Sequence, residues 1–351
     1  MLKAGVVGAT GYMGGEALRV LLEHPGVDVA WATSRSGGAI EDYHPNLYGL
    51  NVPLVHPDKV SPCDAVFLAL PAGAAIQAAA KFLAAGSKVI DLGAAFRLKD
   101  RATWQAVYGQ EHTHWSLAEE AAYGIAELHA DEIRAARLVA NPGCFSSAAI
   151  LGLAPLVKAG IIDEGRIVID GLSGTAGMGA ELARPAHHPE IGGNLVPYNV
   201  VGHRHTFEME QELSVLAGKK VAVHFTPTYV PIVRGILSVC HAFPLKATAR
   251  EDLLELYRRF YAGQPFVKVY DLPRQADAAW QYKPYPWVSA VAGTNFCFIG
   301  LDVDEPRNRI VVFSVLDSLG KGGAQAGVEN MNLMFGLDRT AGLTRRALHP
   351  G

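Results

Sequence analysis

Short apolar runs alternate with longer helix-forming stretches along the first 140 residues of the chain. The apolar runs cover residues 3–7, 27–33, 65–70 and 88–92, and stretches rich in Ala and Leu, notably 74–85, separate them. Short apolar runs and amphipathic stretches in this order predict alternating strands and helices. Alternation of this kind is typical of a parallel, doubly wound sheet with helices on its faces. We therefore expect an α/β fold of the Rossmann type in this half.

The pattern changes after residue 144, where strand-like runs follow one another with few helices between them. The turn-like segment Asp304–Asn308 joins the last two runs as a hairpin. Thr248–Glu251 has the pattern of a capping box at the start of a helix. Strands in direct succession predict a mostly antiparallel sheet and an α+β domain. The predicted strands cover residues 166–170, 220–226, 235–241, 266–270, 295–303 and 309–317.

Two domains follow from these patterns and from the length of 351 residues. Residues 1–143 are predicted to form the dinucleotide-binding Rossmann domain. A C-terminal helix, residues 319–351, is expected to complete it, because apolar positions recur at helical spacing between Lys321 and Phe335. Residues 144–318 form the second predicted domain, of the α+β class.

Composition excludes several classes of protein. With 31 Lys and Arg against 34 Asp and Glu, the chain has a net charge of −3, so we expect no nucleic-acid partner and no membrane partner. No apolar run approaches membrane-spanning length without Gly, Pro or charge, and the strand-like run from Leu2 leaves no room for a signal peptide. The four cysteines are far apart and form no CxxC pair. Reduced thiols in a cytoplasmic enzyme, without disulfides or a bound metal, are the expectation.

A glycine-rich turn links the first predicted strand to the first predicted helix. Its spacing is GxxGxxG, which differs from the common GxGxxG. Strand, glycine turn and helix in this order suit a pyrophosphate at a helix N-terminus, and a plain structural turn is the alternative. The predicted cofactor-binding residues of this turn are Gly8, Thr10, Gly11, Tyr12, Met13 and Gly14.

The end of the second predicted strand bears on the choice of cofactor. An NAD enzyme places an acidic residue there to bind the ribose, but here the sequence is Ser34-Arg35-Ser36 and no acid occurs before Glu41. A cation with two hydroxyls can hold a 2′-phosphate, and a solvated loop arginine is the alternative. NADP is therefore predicted in preference to NAD.

Cys144 follows the sharp turn of Pro142 and Gly143 and precedes a run of small and apolar residues that predicts a helix. A thiol at a helix start lies near unpaired N–H groups and the positive end of the helix dipole, which favour the thiolate. A thiolate attacks activated acyl groups. A small buried hydrophobic residue is the alternative interpretation.

Two histidines and an arginine follow one another in the segment 202–208. If the segment is extended, His203 and His205 point to one side and Arg204 to the other. One interpretation is a general acid/base with an anion clamp, in which Glu208 orients an imidazole. A solvated turn is a second interpretation, and a metal site completed by residues 187–188 is a third.

The motifs taken together resemble the N-acetyl-γ-glutamyl-phosphate reductase family, within the semialdehyde dehydrogenase superfamily. The resemblance runs nearly from end to end, and the motifs occur in the family's order. The segments that carry it are GATGYMG (8–14), DLGAAFRL (91–98), NPGC (141–144), GHRHT (202–206), VPIVRGIL (230–237), GTNF (293–296) and DSLGKG (317–322).

Two segments depart from that family. SGTAGMGA (173–180) stands where the family usually has SGVSGAGRK, so an expected basic residue is missing. PAHHPE (185–190) is similar to a sister branch, the lysine-biosynthesis reductases that act on aminoadipyl phosphate linked to a carrier protein. The histidine usual after Pro71 is missing, and Ser318 replaces the usual Asn. These changes concern the substrate more than the type of reaction.

The resemblance implies a reductive dephosphorylation through a cysteine thioester, with a small acyl phosphate as substrate and NADPH as reductant. Cys144 is then the nucleophile, with His205 favoured over His203 as acid/base. The resemblance also makes residues 144–318 the catalytic and oligomerisation domain of a homodimer or homotetramer. In the sister-branch alternative, an amino-group carrier protein is a further partner. A catalytically silent NADPH-binding regulator is the alternative from another class of protein. Leu70, Pro71, Ser318 and Lys321 join the cofactor-binding residues, and the substrate-binding candidates are Arg204, Arg234 and Ser173.

Overall fold

The computed structural model describes residues 1–272 and 284–350, and in it the chain divides into two compact units. The boundary falls between Pro142 and Gly143. The first unit contains residues 1–142, 178–181 and 323–345, and the rest of the described chain belongs to the second. The first unit is therefore discontinuous along the sequence.

The first unit contains a seven-stranded sheet in which every strand pair is parallel. In the strand order 3-2-1-4-5-7-6 the first and fourth strands are neighbours inside the sheet, and the order runs outward from them in both directions, which confirms the predicted Rossmann-type architecture. Central strands such as Ala65–Leu68 are buried along their whole length, as expected where helices cover both faces of a sheet. The strands are β1 (Leu2–Val7), β2 (Val27–Thr33), β3 (Leu54–Val55), β4 (Ala65–Leu68), β5 (Lys88–Asp91), β6 (Ala122–Tyr123) and β7 (Leu138–Ala140).

The helices of the first unit connect successive strands of its sheet. Apolar residues on one side of each longer helix pack on the sheet, for example Leu18 and Leu21 in the first helix and Ile76 and Phe82 in the second. The helices between the strands are α1 (Tyr12–Leu22), α2 (Ala72–Ala84), α3 (Arg101–Tyr108), α4 (Trp115–Glu120) and α5 (Ala126–Ala135).

The second unit contains a seven-stranded mixed sheet of order 12-13-14-11-8-10-9. Four of its neighbouring pairs among the described residues are antiparallel and two are parallel, which agrees with the expected mostly antiparallel α+β domain. The predicted hairpin is present between the last two strands. The strands are β8 (Ile167–Ser173), β9 (Val196–Pro197), β10 (Val223–Tyr229), β11 (Ile236–Ala242), β12 (Val267–Val269), β13 (Cys297–Asp304) and β14 (Arg309–Leu316).

One face of this sheet is covered by a helix that starts at Cys144. Helix α6 (Cys144–Lys158) is buried from Phe145 to Val157 and packs on the strands β11 and β14. Tyr257 donates a hydrogen bond to the carbonyl of Gly152 at 2.6 Å and so ties a second helix to it. The remaining helices of the unit are α7 (His188–Ile191), α8 (Arg204–Ala217) and α9 (Arg250–Phe260).

The C-terminal helix differs from the expectation of 319–351. The α-helix is α10 (Gln325–Met334), which a π-type turn precedes, and residues 336–350 contain no helix or strand. Residues 319–322 also belong to the second unit. Beyond the helix the chain is held by side chains: Arg339 forms ion pairs with buried Glu329 at 2.6 Å and Glu127 at 2.9 Å. These long-range contacts fix the segment without helical periodicity.

No helix in the described ranges is long and apolar enough to cross a membrane. The expected capping box before α9 is wrong, because Ala249 is the N-cap and Thr248 Oγ1 donates to the carbonyl of Lys246 at 2.9 Å instead.

Candidate active site

Asn141 is fully buried at the end of β7 and every one of its polar atoms is bonded. Its side-chain amide donates to the carbonyl of Gly323 at 3.0 Å, and its side-chain oxygen accepts from Asn330 Nδ2 at 3.1 Å. Its backbone carbonyl accepts from Arg97 Nε at 2.8 Å, and its N–H donates to the carbonyl of Asp91 at 2.9 Å. These bonds hold Asn141 in place where the chain leaves the sheet and enters the turn of Pro142 and Gly143.

Cys144 is the first residue of α6, as the turn before it predicts. Gly143 is the N-cap, with extended backbone angles of φ −70° and ψ 150°, and no acidic residue lies in the first helical turn. The thiol is half-buried. Helix N-terminal N–H groups stabilise negative charge nearby, so this position favours a nucleophilic sulfur.

The imidazole of His205 lies against Gly143. A β-carbon on residue 143 would fall 2.3 Å from His205 Nε2, so only glycine leaves room for the ring at this place. Glu208, fully buried on the same helix face, accepts a hydrogen bond from Gly143 N–H at 3.0 Å. Its other oxygen is 3.9 Å from His205 Nε2, which is beyond hydrogen-bond distance. Cysteine turn, imidazole and carboxylate are thus brought together, with Glu208 bonded to the turn.

His203 is the N-cap of α8, so the segment is helical from Arg204 onward and the condition of an extended segment is not met. Its Nδ1 accepts the backbone N–H of His205 at 3.1 Å, because the first N–H groups of a helix need a partner. Burial, together with the positive charge of Arg204, lowers the pKa of His203 to about 4. The ring is therefore neutral at pH 7 and carries its proton on Nε2. The two imidazoles still meet, with centroids 4.8 Å apart.

Aromatic rings that the sequence analysis did not single out surround the histidines. Phe145 lies edge-on to both, with centroid distances of 6.1 Å to His203 and 6.0 Å to His205. Tyr198 lies 5.6 Å from His203 and stacks on Tyr229 at 4.1 Å. Burial raises the pKa of both tyrosines, so both remain phenols. The available signal was that Tyr229 lies between the predicted strand 220–226 and the VPIVRGIL motif, which begins at the next residue.

The three predicted substrate-binding residues lie in different settings in the second unit. Arg204 is exposed in the first turn of α8. Arg234 forms a bidentate ion pair with buried Asp317, from Nε at 2.8 Å and from Nη2 at 3.0 Å. Ser173 is buried at the end of β8, and its hydroxyl donates to the carbonyl of Gly174 at 2.9 Å. Asp317, which the sequence analysis did not single out, thus determines where Arg234 points.

The glycine turn of the first unit has the geometry of a phosphate-binding loop. Gly8 has a φ of +79°, and a β-carbon there would lie 2.4 Å from the carbonyl oxygen of Ala69. A β-carbon on Gly14 would lie 2.2 Å from the carbonyl of Gly8. Gly11 is the N-cap of α1, and no side chain caps the helix. The helix start is left to its backbone N–H groups, which fits a pyrophosphate.

The other predicted cofactor-binding residues of the first unit lie at the carboxyl ends of neighbouring parallel strands. Ligands of open parallel sheets bind at this edge. Thr10 precedes α1, whose first two residues are Tyr12 and Met13. The residues after β2 are buried Ser34 and exposed Arg35 and Ser36, and those after β4 are Leu70 and Pro71, the N-cap of α2.

The last two predicted cofactor-binding residues belong to the second unit. Ser318 is buried, and its Oγ accepts a hydrogen bond from the backbone N–H of Gly235 at 3.5 Å. Lys321 is also buried, with its ammonium 5.6 Å from the centroid of Phe266.

The metal interpretation of the histidines has no support in the described part of the chain, where no three His, Cys, Asp or Glu side chains form a group that could hold a metal ion. His187 and His188 are exposed at a short helix.

Comparison with known proteins agrees with this geometry. The model of the semialdehyde dehydrogenase NAD-binding domain matches residues 3–136, and the model of the semialdehyde dehydrogenase dimerisation domain matches residues 144–318. In fold, the chain resembles aspartate semialdehyde dehydrogenase II of Vibrio cholerae, with a TM-score of 0.72 at 19% identity over 95% of this chain and 98% of that one. The Candida albicans enzyme with NADP gives 0.66 at 17%, with the same coverage.

Curated relatives are closer in sequence. The N-acetyl-γ-glutamyl-phosphate reductase of Pelotomaculum thermopropionicum is 43% identical over 99% of both chains, and that of Moorella thermoacetica is 42% identical over 100% of both. A putative LysW-linked L-2-aminoadipate and L-glutamate phosphate reductase of Cenarchaeum symbiosum is 42% identical over 99% of this chain and 100% of that one.

Fold and site define an oxidoreductase of the semialdehyde dehydrogenase type, with a first unit that binds a nicotinamide dinucleotide. Sequence identity above 40% to named reductases over the full length of the chain identifies the family within this class. The chain belongs to the N-acetyl-γ-glutamyl-phosphate reductase family.

Proposed function

We propose that the protein reduces N-acetyl-L-glutamyl 5-phosphate to N-acetyl-L-glutamate 5-semialdehyde with NADPH and releases phosphate. The observation that carries the proposal is the placing of Cys144 at the start of α6, with the His205 imidazole against the neighbouring Gly143. Relatives more than 40% identical over the whole chain bear the name of this reaction.

The chemistry begins at the sulfur. His205 removes the thiol proton, and Cys144 Sγ attacks the acyl carbon. The carbon–oxygen bond to the phosphate breaks, phosphate leaves, and a thioester remains on Cys144. Splitting a difficult reduction into two acyl transfers is the advantage of covalent catalysis. Glu208 contributes by holding the Gly143 N–H, which fixes the turn that carries the sulfur.

When bound, NADPH supplies the hydride that reduces the thioester carbonyl to the aldehyde. The bond from Cys144 Sγ to the substrate carbon breaks as the aldehyde forms, Cys144 leaves as thiolate, and His205 returns its proton to the sulfur. His203, neutral with its proton on Nε2, is suited to donate a hydrogen bond to a substrate oxygen. Arg204 and Arg234 are the proposed contacts for phosphate and carboxylate, because guanidinium binds both groups well.

NADP is the proposed cofactor in preference to NAD. The glycine turn fits a pyrophosphate, and exposed Arg35 follows β2 where an NAD enzyme has an acidic residue. Gly8, Gly11 and Gly14 would lie under the phosphates, and Ser34, Arg35 and Ser36 at the 2′-phosphate.

A second candidate substrate is an aminoadipyl or glutamyl phosphate attached to an amino-group carrier protein. The Cenarchaeum symbiosum relative, which is named for LysW-linked substrates, supports this second candidate. Its sequence identity to the chain, 42%, equals that of the Moorella thermoacetica relative, which is named for the free substrate. The PAHHPE segment (185–190) is exposed near α7 and also differs from the free-substrate family.

For assembly, we propose a homodimer or a homotetramer formed by the second unit, which the match to a dimerisation domain supports. The cytoplasm is the proposed location. Its reducing conditions suit the four cysteines, none of which forms a disulfide in the structure.

The deciding experiment is a steady-state assay with NADPH that compares N-acetylglutamyl phosphate with the carrier-linked analogue. We expect kcat/KM to favour the free substrate. A preference for the carrier-linked analogue would establish the second candidate, and NADPH binding without turnover of either would indicate a non-catalytic regulator.

A further inference from the structure

Asp317 lies directly after β14 and is fully buried. Its carboxylate accepts five hydrogen bonds from described residues. Two come from Arg234, from Nε at 2.8 Å and Nη2 at 3.0 Å. Three come from the backbone N–H groups of Gly293, Leu319 and Gly320, at 2.5, 2.7 and 2.8 Å. One side chain therefore joins three separate segments of the second unit.

This carboxylate is a short chain of contacts away from the nucleophile. The carbonyl of Asp317 accepts the N–H of Gly322 at 2.9 Å, and a β-carbon on Gly322 would lie 2.8 Å from Cys144 Cβ. On its other side, a β-carbon on Gly174 would lie 3.0 Å from Arg234 N. Asp317 thus ties the loop of Arg234 to the segment that packs on Cys144.

The pairing of Asp317 with Arg234 goes beyond what burial of the carboxylate requires. An ionised carboxylate offers about four lone-pair sites, and three of them already have backbone donors. The bidentate pair occupies the Nε and Nη2 edge of the guanidinium, which turns Nη1 to the opposite side. The Arg234 side chain keeps 27% of its surface exposed. The side chain is therefore oriented by Asp317 while part of its surface faces solvent.

We propose that Asp317 is a positioning residue, which fixes the Arg234 guanidinium so that its opposite edge binds an anionic oxygen of the substrate. The inference rests on the proposed reduction of an acyl phosphate. A guanidinium held in advance by a carboxylate loses less side-chain entropy when it binds an anion, so binding is stronger. The contact exists with bound substrate before the chemical step as well as during it, and its loss therefore affects KM more than kcat.

The test compares the native enzyme with Asp317→Asn, Arg234→Lys and the double variant. We expect each single variant to raise KM for the acyl phosphate about tenfold, which corresponds to loss of one charge-assisted hydrogen bond. We expect kcat to stay within about threefold. If Asp317 acts through Arg234, the double variant raises KM no further than either single one. Additive effects, or an unchanged KM with a lower melting temperature, would show a purely structural role.

Asp304→Asn is the matched control. It breaks an ion pair of similar length with Arg309, 2.9 Å, in the same unit, and we expect no change in KM. Circular dichroism reports whether Asp317→Asn folds; if it does not, Arg234→Lys decides alone, and an unchanged KM in that variant overturns the proposal.

A second measurement does not depend on turnover. Alkylation of Cys144 by iodoacetamide is titrated with inorganic phosphate and with N-acetylglutamate as protecting anions. We expect the half-protecting concentration of at least one anion to rise about tenfold in both single variants. If the native enzyme reduces no acyl phosphate, the proposed function fails, and this titration still decides the role of Asp317. Equal protection in native enzyme and variants overturns the inference.

Discussion

Gly143 shows what a missing side chain contributes to this site. The His205 ring occupies the space of its absent β-carbon, while its backbone N–H holds Glu208. The candidate catalytic residues could be picked out from the sequence, because a cysteine after Pro-Gly and a His-Arg-His run are local signals. Their mutual placing could not, because Gly143 and Glu208 are 65 positions apart and meet only through tertiary packing. Asp317 was missed for the same reason.

Cys144→Ser should abolish turnover and leave NADPH affinity near that of the native enzyme. A serine hydroxyl does not ionise at neutral pH as a thiol at a helix start does, and the cofactor contacts proposed above lie largely outside α6. Steady-state kinetics and a fluorescence titration with NADPH measure the two effects. Retention of about a tenth of the activity or more would contradict covalent catalysis.

Substitution of His205 and substitution of His203 should change different kinetic constants. We expect His205→Asn to lower kcat at least about a hundredfold, as the loss of a general acid/base does. His203→Asn should act chiefly on KM, because a neutral ring that caps α8 is a hydrogen-bond donor rather than a base at pH 7. Initial rates across a pH series measure both. Control of kcat by His203 would show that the two roles are reversed.

Elements were predicted best where local pattern and tertiary packing agree. The ten predicted strands and the start of α6 lie close to their predicted positions, but β3, β6, β7 and β9 were not predicted. The short strands β3, β6 and β9 have only two residues each and leave no periodic signal. The segment at residues 202–208 alternates like a strand but begins a helix, because His203 supplies an N-cap and apolar Met209 and Leu213 pack inward.

The loop after β2 carries the prediction on cofactor choice. Arg35→Asp should weaken NADPH binding about tenfold or more and leave NADH binding nearly unchanged. It removes a cation proposed to face the 2′-phosphate and adds repulsion. The dissociation constants of NADPH and NADH are measured for both proteins, and the ratio of the two constants is compared. Arg307→Asp is the control, because Arg307 is exposed and pairs with Asp304 on the β13–β14 hairpin. An unchanged ratio would mean that Arg35 is only a solvated loop residue.

The whole molecule was predicted as two domains, and the structure divides next to the proposed boundary. The sequence did not indicate that residues 178–181 group with the first unit. It also placed too much of the C-terminus in a helix. Contacts such as Gln325 Nε2 to Glu16 Oε1, 2.8 Å, join residues at opposite ends of the chain, and no local pattern encodes them.

Stability of the second unit should fall in mild acid because of His203. Its pKa is about 4 when folded, against 6.5 for the unperturbed group, so the unfolded chain binds the proton first as pH falls. This group therefore stabilises the fold above pH 6.5 and loses that effect toward pH 4. Between pH 7 and pH 5 the loss amounts to about 2 kcal/mol. Urea unfolding at pH 7 and pH 5 measures this change in the free energy of unfolding for the native chain and for His203→Asn, in which Asn still serves as an N-cap. The same pH dependence in both would contradict the assignment.

The discontinuity of the first unit has a consequence for synthesis on the ribosome. Ala140 completes the last strand of the first sheet, but Gln325, the first residue of α10, emerges 185 residues later. At translation rates of about 5–20 residues per second, this is a delay of roughly 10–40 seconds. During that time Asn141 lacks both Gly323 and Asn330 as partners. The position of Asn141, two residues before Gly143, is thus secured only after residues 323–330 have been synthesised.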